Sequence, residues 1–519
     1  MDCFKNIVKE NVSNTGFNII ILTLSIIISI IRIYRSYYIG QITQNRNNRD
    51  VFIFIGLVGL YYFFDIISQF LVNKNKTNFN KTFIKNILKK IFNSNFEKLI
   101  PIKDNIISNL NLSLNDIDIL YDDLYLYYIP NIISILASIV IFSYYIPKIS
   151  FIIISIMIII LIIFFVLIKN LNVLWNEYIK EYNKFNDKFQ NIILNMWNVK
   201  YNSLDNNMYK QLVNNYNKRS DLCTKYTNYK IIITNIPSIL FFSIFIINIF
   251  YIIKNKNFKV GIIVFLIFQL YKIWRSFDIL CINCMHLLNN VKNINKICPV
   301  WFLDDLKSSN NKLINKINSI KFENVKYSYI ANKNKIVIKD LNFTINKGEI
   351  TYINGKSGKG KSTVINLICR LFDAKEGCIY INNDKIKDIN LKSLKKEISV
   401  VPQNIIVFNN SIAQNIILDN KYNKSNLNKL IKLLQLPDPN TNALELSYGQ
   451  KQRVLIGRTL YNTNKSVYIF DEYLSSIDKN TATKIHNYVI DFIKKNNKIG
   501  IFISHNENEK IYYDKLIEI

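Results

Sequence analysis

Long apolar runs dominate the first three hundred residues of the chain. Six of them are each about long enough for the roughly 20 residues that cross a 30 Å hydrocarbon layer as a helix. Buried soluble helices are the alternative, but residues 150–169 consist almost wholly of isoleucine, leucine and phenylalanine, which argues against it. We therefore predict six membrane spans, at residues 17–34, 51–72, 128–146, 149–168, 231–253 and 260–284.

The connections between these runs alternate in length, short after the first, third and fifth runs and long after the others. The long connections, 73–127 and 169–230, carry many lysines and show apolar residues at helical intervals, as at Phe83, Ile87 and Ile91. The positive-inside tendency favours a cytoplasmic location for them, although the short connections also carry Arg46, Arg49, Lys254 and Lys256. We predict a multi-pass membrane protein whose spans continue as helices into the cytoplasm, with an uncleaved first helix and the N-terminus on that side.

A few polar side chains interrupt the apolar spans: Arg32, Asp65, Gln69, Gln269, Arg275 and Asp278. An ionisable residue in a membrane span is by default a candidate for function, and it usually faces a cavity or a partner. Arg275 and Asp278 are three residues apart on one helix face, so they either neutralise each other or contact a transported molecule.

The pattern changes after a polar linker at residues 301–316. From residue 317 to 519, β-branched runs alternate with helical runs, which is typical of an α/β domain with a largely parallel sheet. The fold class predicted for the whole chain is therefore multi-domain: an all-α six-helix transmembrane domain at 1–300, followed by an α/β P-loop NTPase domain.

The first functional motif of the second domain is a phosphate-binding loop. The sequence from residue 355 to 363 satisfies the pattern G-x-x-x-x-G-K-[ST] between a strand-like run and a helix-like run, whereas a flexible surface turn needs no such context. Glycines let several N–H groups face one anion, and the following helix adds the positive end of its dipole. Lys361 is placed to reach the β- and γ-phosphates, and the Ser362 hydroxyl to ligate Mg²⁺. The predicted nucleotide-binding residues here are Gly355, Lys356, Ser357, Gly358, Lys359, Gly360, Lys361, Ser362 and Thr363.

Further motifs follow in a fixed order. They are Val-Val-Pro-Gln-Asn ending at Asn404, Leu-Ser-Tyr-Gly-Gln ending at Gln450, Val-Tyr-Ile-Phe-Asp-Glu ending at Glu472, and Ile-Ser-His ending at His505. From about residue 320 to the end, the chain resembles an ATP-binding cassette. The resemblance implies ATP and Mg²⁺ as cofactors, adenine stacking on Tyr329 with Tyr327 as the alternative, and a signature sequence made by Ser447, Gly449 and Gln450.

The same resemblance implies a catalytic set. Gln403 reaches Mg²⁺ or the attacking water, and Asp471 is a direct or indirect Mg²⁺ ligand beside Ser362. Glu472, one residue later and pointing the other way, accepts the proton of the attacking water, while His505 bonds the γ-phosphate. Two acids after an apolar run also suit a helix cap, and a lone histidine is often structural. The assignment of catalytic roles therefore rests on the order of all the motifs together.

In the family, the signature sequence completes the ATP site of a second cassette. One cassette with six spans is therefore similar to an exporter-type half-transporter that works as a dimer with an identical or a different half-transporter. Residues 114–118 and 199–203 lie where exporters place the coupling helices that dock on the cassettes. Two features depart from the family: Tyr448 replaces the first glycine of the signature pair, and residues 436–445, before the signature, are shorter than usual.

The amino-acid composition is consistent with a membrane transporter of this kind. The 519 residues carry a formal charge of +29, which on a soluble protein would favour nucleic acid, but the basic residues are spread over an apolar chain and no nucleic-acid partner is expected. Seven scattered cysteines predict no disulfide framework, and Cys281, Cys284 and His286 lack the second ligand pair of a zinc site. We predict an ATP-hydrolysing exporter in contact with membrane lipid; an ATP-gated membrane protein that does not pump is the alternative. The transported solute, a lipid, a hydrophobic compound or a peptide, stays open.

Overall fold

The computed structural model of the protein describes residues 5–7, 9, 15–254, 258–303, 312–329, 336–356, 358–504 and 513–519. The chain divides into two units, of which the first comprises residues 1–88 and 105–301 and the second comprises residues 89–104 and 302–519. The division predicted from sequence, at 1–300, 301–316 and 317–519, places the short segment 89–104 in the membrane domain and has a separate linker.

The first unit is helical. Its principal helices are α1 (Thr15–Asn45), α2 (Asn48–Asn93), α4 (Lys103–Asp122), α5 (Ile129–Tyr145), α6 (Pro147–Leu194), α7 (Met196–Tyr201), α8 (Asp205–Lys254), α9 (Val260–Ile294) and α10 (Cys298–Trp301). After a two-residue break, α2 is followed by the short helix α3 (Phe96–Leu99), which belongs to the second unit. A π-helical stretch, Asp123–Tyr128, joins α4 to α5.

Six of the described helical segments are long and apolar enough to cross a membrane, so the prediction of six spans is confirmed. Helices α2, α6 and α8 contain 46, 48 and 50 residues. At 1.5 Å per residue each is about 70 Å long, more than twice the thickness of the hydrocarbon layer. The spans therefore do continue as helices well beyond a membrane, as the apolar periodicity of the long connections predicts.

Helices α1 and α9 approach each other closely at two glycines. A Cβ atom added to Gly40 would lie 2.3 Å from the carbonyl oxygen of Gly261, and one added to Gly261 would lie 2.6 Å from that of Gly40. Small residues allow membrane helices to pack backbone against backbone, where dispersion contacts replace the missing hydrophobic effect. This contact sets the separation of α1 and α9.

Substituting Gly40 with alanine is expected to destabilise the membrane unit, because the new methyl group meets a backbone oxygen that cannot rotate away. Overpacking of this kind costs about 1–3 kcal/mol. Gly59→Ala is the matched control: Gly59 also lies inside a long helix, but a Cβ there meets nothing within 4 Å. Thermal unfolding in detergent should show a lower midpoint for Gly40→Ala only, and equal midpoints for the two variants would refute the close packing.

The second unit contains two sheets. Its strands are β1 (Ser319–Ser328), β2 (Ile336–Asn346), β3 (Ile350–Asn354), β4 (Glu376–Ile381), β5 (Asp384–Lys385), β6 (Ile398–Val401), β7 (Val467–Asp471), β8 (Ile499–Ile503) and β9 (Lys515–Glu518). The main sheet, in the order β6-β7-β8-β3-β9, is wholly parallel, and a smaller antiparallel sheet has the order β2-β1-β4-β5. The α/β class with a largely parallel sheet is confirmed, while the antiparallel sheet has no counterpart in the prediction.

Helices cover the parallel sheet on both faces. They are α11 (Lys361–Ile368), α12 (Leu391–Glu397), α13 (Ile412–Ile417), α14 (Lys424–Leu433), α15 (Tyr448–Tyr461) and α16 (Lys479–Lys495). Strand β7 shows the consequence, since its side chains alternate between two apolar clusters, with Ile469 in one and Phe470 in the other. A parallel sheet buried on both faces reads as a continuous apolar run, as β7 does. The carboxyl ends of β3 and β7 carry the predicted chemistry.

The segment 89–104 packs against the rest of the second unit through a buried carboxylate. Glu97, on the one-turn helix α3, is 5% exposed; it accepts a hydrogen bond from the Tyr327 hydroxyl at 2.9 Å and lies 3.6 Å from the Lys375 amine. The part of this connection that packs within the second unit is therefore the segment 95–100, and not the predicted coupling segment 114–118. Residues 114–118 lie inside α4 and belong to the first unit, because their apolar periodicity continues the long helix rather than ending it.

Candidate functional site

The phosphate loop joins β3 to α11, the context that its motif requires. Gly358 and Gly360 have φ angles of +79° and +100°, which side-chain-bearing residues rarely adopt. Lys361 is only 7% exposed, and its amine donates a hydrogen bond to the Gly355 carbonyl at 2.7 Å. The Lys361 side chain therefore connects the two ends of the phosphate loop. Ser357 lies outside the described residues.

The loop meets the end of β7 at a hydroxyl–carboxylate pair. The Ser362 hydroxyl, in the first turn of α11, donates to Asp471 Oδ2 at 2.9 Å, and Asp471 is buried. Hydroxyl and carboxylate oxygens beside a phosphate site are the ligands that Mg²⁺ prefers. These two side chains fit a Mg²⁺ ion bound together with a nucleotide.

A second pair lies one residue further along the chain. The Gln403 amide, in the loop after β6, donates to Glu472 Oε2 at 2.9 Å. Glu472 follows β7 with a φ of +48°, while its N–H donates to the Ile503 carbonyl at 2.9 Å. A positive φ at a residue other than glycine stores backbone strain, and such strain often marks a functional position. This turn directs the carboxylates of Asp471 and Glu472 to different partners.

Of the two aromatic candidates for base stacking, Tyr327 is inaccessible. It is 1% exposed, its ring stacks on Phe372 at 5.5 Å between centroids, and its hydroxyl is bonded to Glu97. Tyr329 is half-buried, and its hydroxyl lies 2.9 Å from the Thr363 hydroxyl at the end of the phosphate loop. Tyr329 therefore remains the candidate, and its ring lies at the edge of the nucleotide site.

The signature residues form the N-terminus of α15. The Ser447 hydroxyl accepts from the Gln450 N–H at 3.3 Å, and the Gln450 side chain accepts from the Ser447 N–H at 2.9 Å, a capping box. A Cβ on Gly449 would lie 2.5 Å from the Ser476 carbonyl oxygen, so this position requires glycine, whereas the Tyr448 side chain is 61% exposed. Within the described ranges, no hydrogen bond joins these three signature residues to the phosphate loop of the same chain.

Gln452 is a site residue that the sequence analysis missed. It is 2% exposed, and its amide donates to the Glu472 carbonyl at 3.1 Å and accepts from the Ser476 N–H at 3.0 Å. It therefore ties α15 to the loop that follows β7. The available signal was a polar residue on the apolar stripe of α15, aligned with Leu455 and Ile456.

A buried Tyr–His pair lies next to the turn at Glu472. The Tyr473 hydroxyl lies 2.7 Å from His486 Nδ1, and both side chains are buried between α16 and the sheet. Burial lowers the pKa of His486 to about 4, so the ring is neutral at neutral pH. Asp478 caps α16 by accepting from the Thr481 N–H at 2.9 Å, and that backbone hydrogen bond lowers the pKa of Asp478. His505 lies outside the described residues.

Comparison with known proteins identifies the second unit. Residues 338–475 match the family model described as "ABC transporter". This part of the chain is an ATP-binding cassette. The whole chain also shares its fold with a solved structure, that of a bacterial Atm1-family ABC exporter with ATP bound, with a TM-score of 0.85 over 99% of this chain and 93% of the other, at 19% identity.

Two curated relatives match little more than a third of this chain. The mitochondrial iron-sulfur clusters transporter atm1 of Aspergillus fumigatus is 32% identical over 205 residues, which cover 37% of this chain and 28% of the relative. The ATP-dependent lipid A-core flippase of Wigglesworthia glossinidia brevipalpis is 34% identical over 200 residues, covering 36% and 34%. The matched part of the chain thus spans no more than about a third of the length of these relatives. Their names give different transported molecules.

Proposed function

We propose that the protein is one half of an ATP-driven membrane exporter. The observation that carries this proposal is the convergence of two polar pairs, Ser362 with Asp471 and Gln403 with Glu472, at the end of the cassette sheet, in a chain with six candidate spans. ATP hydrolysis requires charge neutralisation, alignment and a positioned water, which these residue types supply.

Each residue of the cassette has a defined task in this proposal. The N–H groups of the phosphate loop bind the triphosphate, and Lys361 neutralises charge on its β- and γ-phosphates. Ser362 and Asp471 hold Mg²⁺, which supplies further charge neutralisation when bound. Glu472 takes the proton of the attacking water, Gln403 keeps its carboxylate oriented, and His505 bonds the γ-phosphate. Tyr329 stacks on the adenine.

The proposed site is complete only in a dimer. Ser447 and Gly449 lie at the N-terminus of α15, where N–H groups and the helix dipole favour an anion. No hydrogen bond in the described part of the chain connects them to the phosphate loop of the same chain. In the proposed dimer they close the site of the partner cassette. A second copy of this chain, or a different half-transporter, supplies the partner.

Glu97 is the residue that we propose for coupling. Its buried carboxylate is held by Tyr327 and Lys375, and Tyr327 stacks against Tyr329 edge-to-face at 5.2 Å between centroids. A rearrangement at the nucleotide edge is thereby passed to the segment 95–100, which connects two long membrane helices. The short helix α7, with its exposed Trp197 and Tyr201, is the second coupling element. The cassette and the N-terminus lie in the cytoplasm, and transport is outward.

The proposal requires ATP hydrolysis that depends on magnesium. Protein reconstituted in liposomes should hydrolyse ATP, and excess EDTA should reduce the rate to background. Asp471→Asn should move the Mg²⁺ activation curve to at least about tenfold higher concentration, because a ligand or its closest supporting group is weakened. Asp419→Asn, at an exposed position, is the matched control. Hydrolysis that is unchanged by EDTA, or absent at every Mg²⁺ concentration, would refute the proposal.

A further inference from the structure

Three basic side chains meet in the middle of the membrane unit. Arg32 and Arg35 lie on α1, Lys272 lies on α9, and the Lys272 amine donates a hydrogen bond to the backbone carbonyl of Arg32. Both guanidinium carbons lie over the ring of Tyr61 on α2, at 5.2 and 5.0 Å from its centroid. They are therefore no more than about 10 Å apart. We call Arg32, Arg35 and Lys272 the cation cluster.

The cation cluster lies far from the ends of its helices. Lys272 is twelve residues from each end of the candidate span Val260–Cys284, which is about 18 Å along the helix axis in both directions. Arg32 precedes the end of its own helix, Asn45, by thirteen residues, or about 20 Å. A basic side chain near the end of a span can reach the interface along its aliphatic stem, but Lys272, at the middle of its span, cannot. Its hydrogen bond to the Arg32 carbonyl brings Arg32 to the same level, although the predicted first span, 17–34, ends only two residues after Arg32.

Nearby carboxylates do not neutralise the cluster. Helix α1 contains no acidic residue, Asp65 on α2 accepts a hydrogen bond from Gln69 at 2.8 Å, and Asp278 on α9 pairs with Arg275 at 3.1 Å. In the described residues, no member of the cation cluster forms an ion pair. Arg275 and Asp278 pair with each other, which is the first of the two alternatives that the sequence left open, so Arg275 has a carboxylate partner on its own helix.

Unused donors accompany these charges. Within the described structure, the Arg35 guanidinium donates no hydrogen bond, whereas Arg32 donates to the Tyr61 hydroxyl at 3.0 Å. Gln269 lies three residues before Lys272, on the same face of α9, and is fully buried. Its oxygen accepts from Ser138 at 2.9 Å, but its amide nitrogen has no partner among the described residues. Buried donors and uncompensated cations are both costly, and an anion relieves both.

We propose that Arg32, Arg35 and Lys272 bind the anionic group, a phosphate or a carboxylate, of the molecule that the membrane unit transports. The proposal rests on the proposed export function and adds the chemical class of its substrate. Guanidinium groups match phosphate and carboxylate oxygens in a two-point geometry, and the apolar helices around them suit a ligand with an apolar body. The expected substrate is therefore an amphiphilic anion, and an amphiphilic cation is excluded.

The test measures binding of octyl phosphate to the full-length protein in nanodiscs of zwitterionic lipid. The unmodified protein should bind this probe saturably, and Arg32→Gln/Arg35→Gln/Lys272→Gln should bind it at least about tenfold more weakly. The matched control, Arg49→Gln/Lys148→Gln/Lys169→Gln, also removes three positive charges, but from exposed positions, and should bind like the unmodified protein. Octyltrimethylammonium should not compete. Competition by phosphatidic acid in the nanodisc would identify a lipid head group, and competition by inorganic phosphate a soluble anion.

Equal affinity in the test and control variants would overturn the proposal, as would absence of saturable binding by the unmodified protein. Arg32→Lys/Arg35→Lys/Lys272→Arg keeps the charges and should retain most of the binding, which separates loss of charge from loss of fold. ATP hydrolysis is measured on the same samples. Hydrolysis without cluster-dependent binding refutes the anion site alone, and binding without hydrolysis refutes the export function alone.

Discussion

Glu472→Gln should reduce kcat for ATP hydrolysis by about 10²- to 10⁴-fold, the usual contribution of a general base. The substitution preserves the size of the side chain and leaves an oxygen to accept the hydrogen bond that Gln403 donates at 2.9 Å. It removes the negative charge and the basicity that draw a proton from water. ATP affinity should change little, because the phosphates are bound by the loop and Lys361. Steady-state hydrolysis and nucleotide binding, measured on protein in liposomes, separate the two effects.

Glu445→Gln is the matched control for this experiment. Glu445 is an exposed acid in the same domain, and its substitution should leave kcat unchanged. An unchanged kcat in Glu472→Gln would show that another group takes the proton and that the strained turn at Glu472 serves packing only. A joint loss of hydrolysis and of nucleotide binding would instead show that the carboxylate stabilises the fold of the site.

Mixing two inactive variants should restore hydrolysis if the site is shared between chains. Lys361→Ala removes the phosphate-binding amine, and Ser447→Arg blocks the signature helix; each alone should be inactive. In a mixed dimer, both damaged elements fall in one composite site, and the other site keeps its Lys361 and its Ser447. Random pairing makes half of the dimers mixed, so co-expression should recover about a quarter of the unmodified activity. The measurement is ATP turnover per purified dimer.

A second mixture controls for this recovery. Lys361→Ala combined with Lys361→Ala/Ser447→Arg has no intact composite site in any pairing and should stay inactive. If each chain formed its ATP site alone, neither mixture would recover ATP hydrolysis, and the proposed dimer mechanism would be refuted. Recovery in the first mixture also requires that Ser447→Arg folds, so a positive result needs no separate test of folding.

The sequence predicted best the features that depend on residues close to each other along the chain. Six spans follow from the transfer of contiguous apolar residues into lipid, and the phosphate loop follows from glycines and a lysine within nine residues. The same holds for the helices that continue beyond the membrane, whose apolar period is visible in the chain. The sequence did not single out the segment 95–100 that packs within the second unit, because its one-turn helix, Phe96–Leu99, is too short to show a period of 3.6 residues.

Contacts between distant residues were decided only by the tertiary structure. Gln452 joins the signature helix to the Glu472 turn, Glu97 reaches Tyr327 across 230 positions, and Lys272 reaches Arg32 across 240. Residue type and local pattern determine which element forms, because backbone hydrogen bonds and side-chain burial within one element depend on near neighbours. Which polar groups meet depends on how elements pack, through close approaches such as Gly40 against Gly261. The sequence by itself therefore determined two domains and the residue types of a nucleotide site, whereas packing alone decided where the cations of α1 and α9 meet.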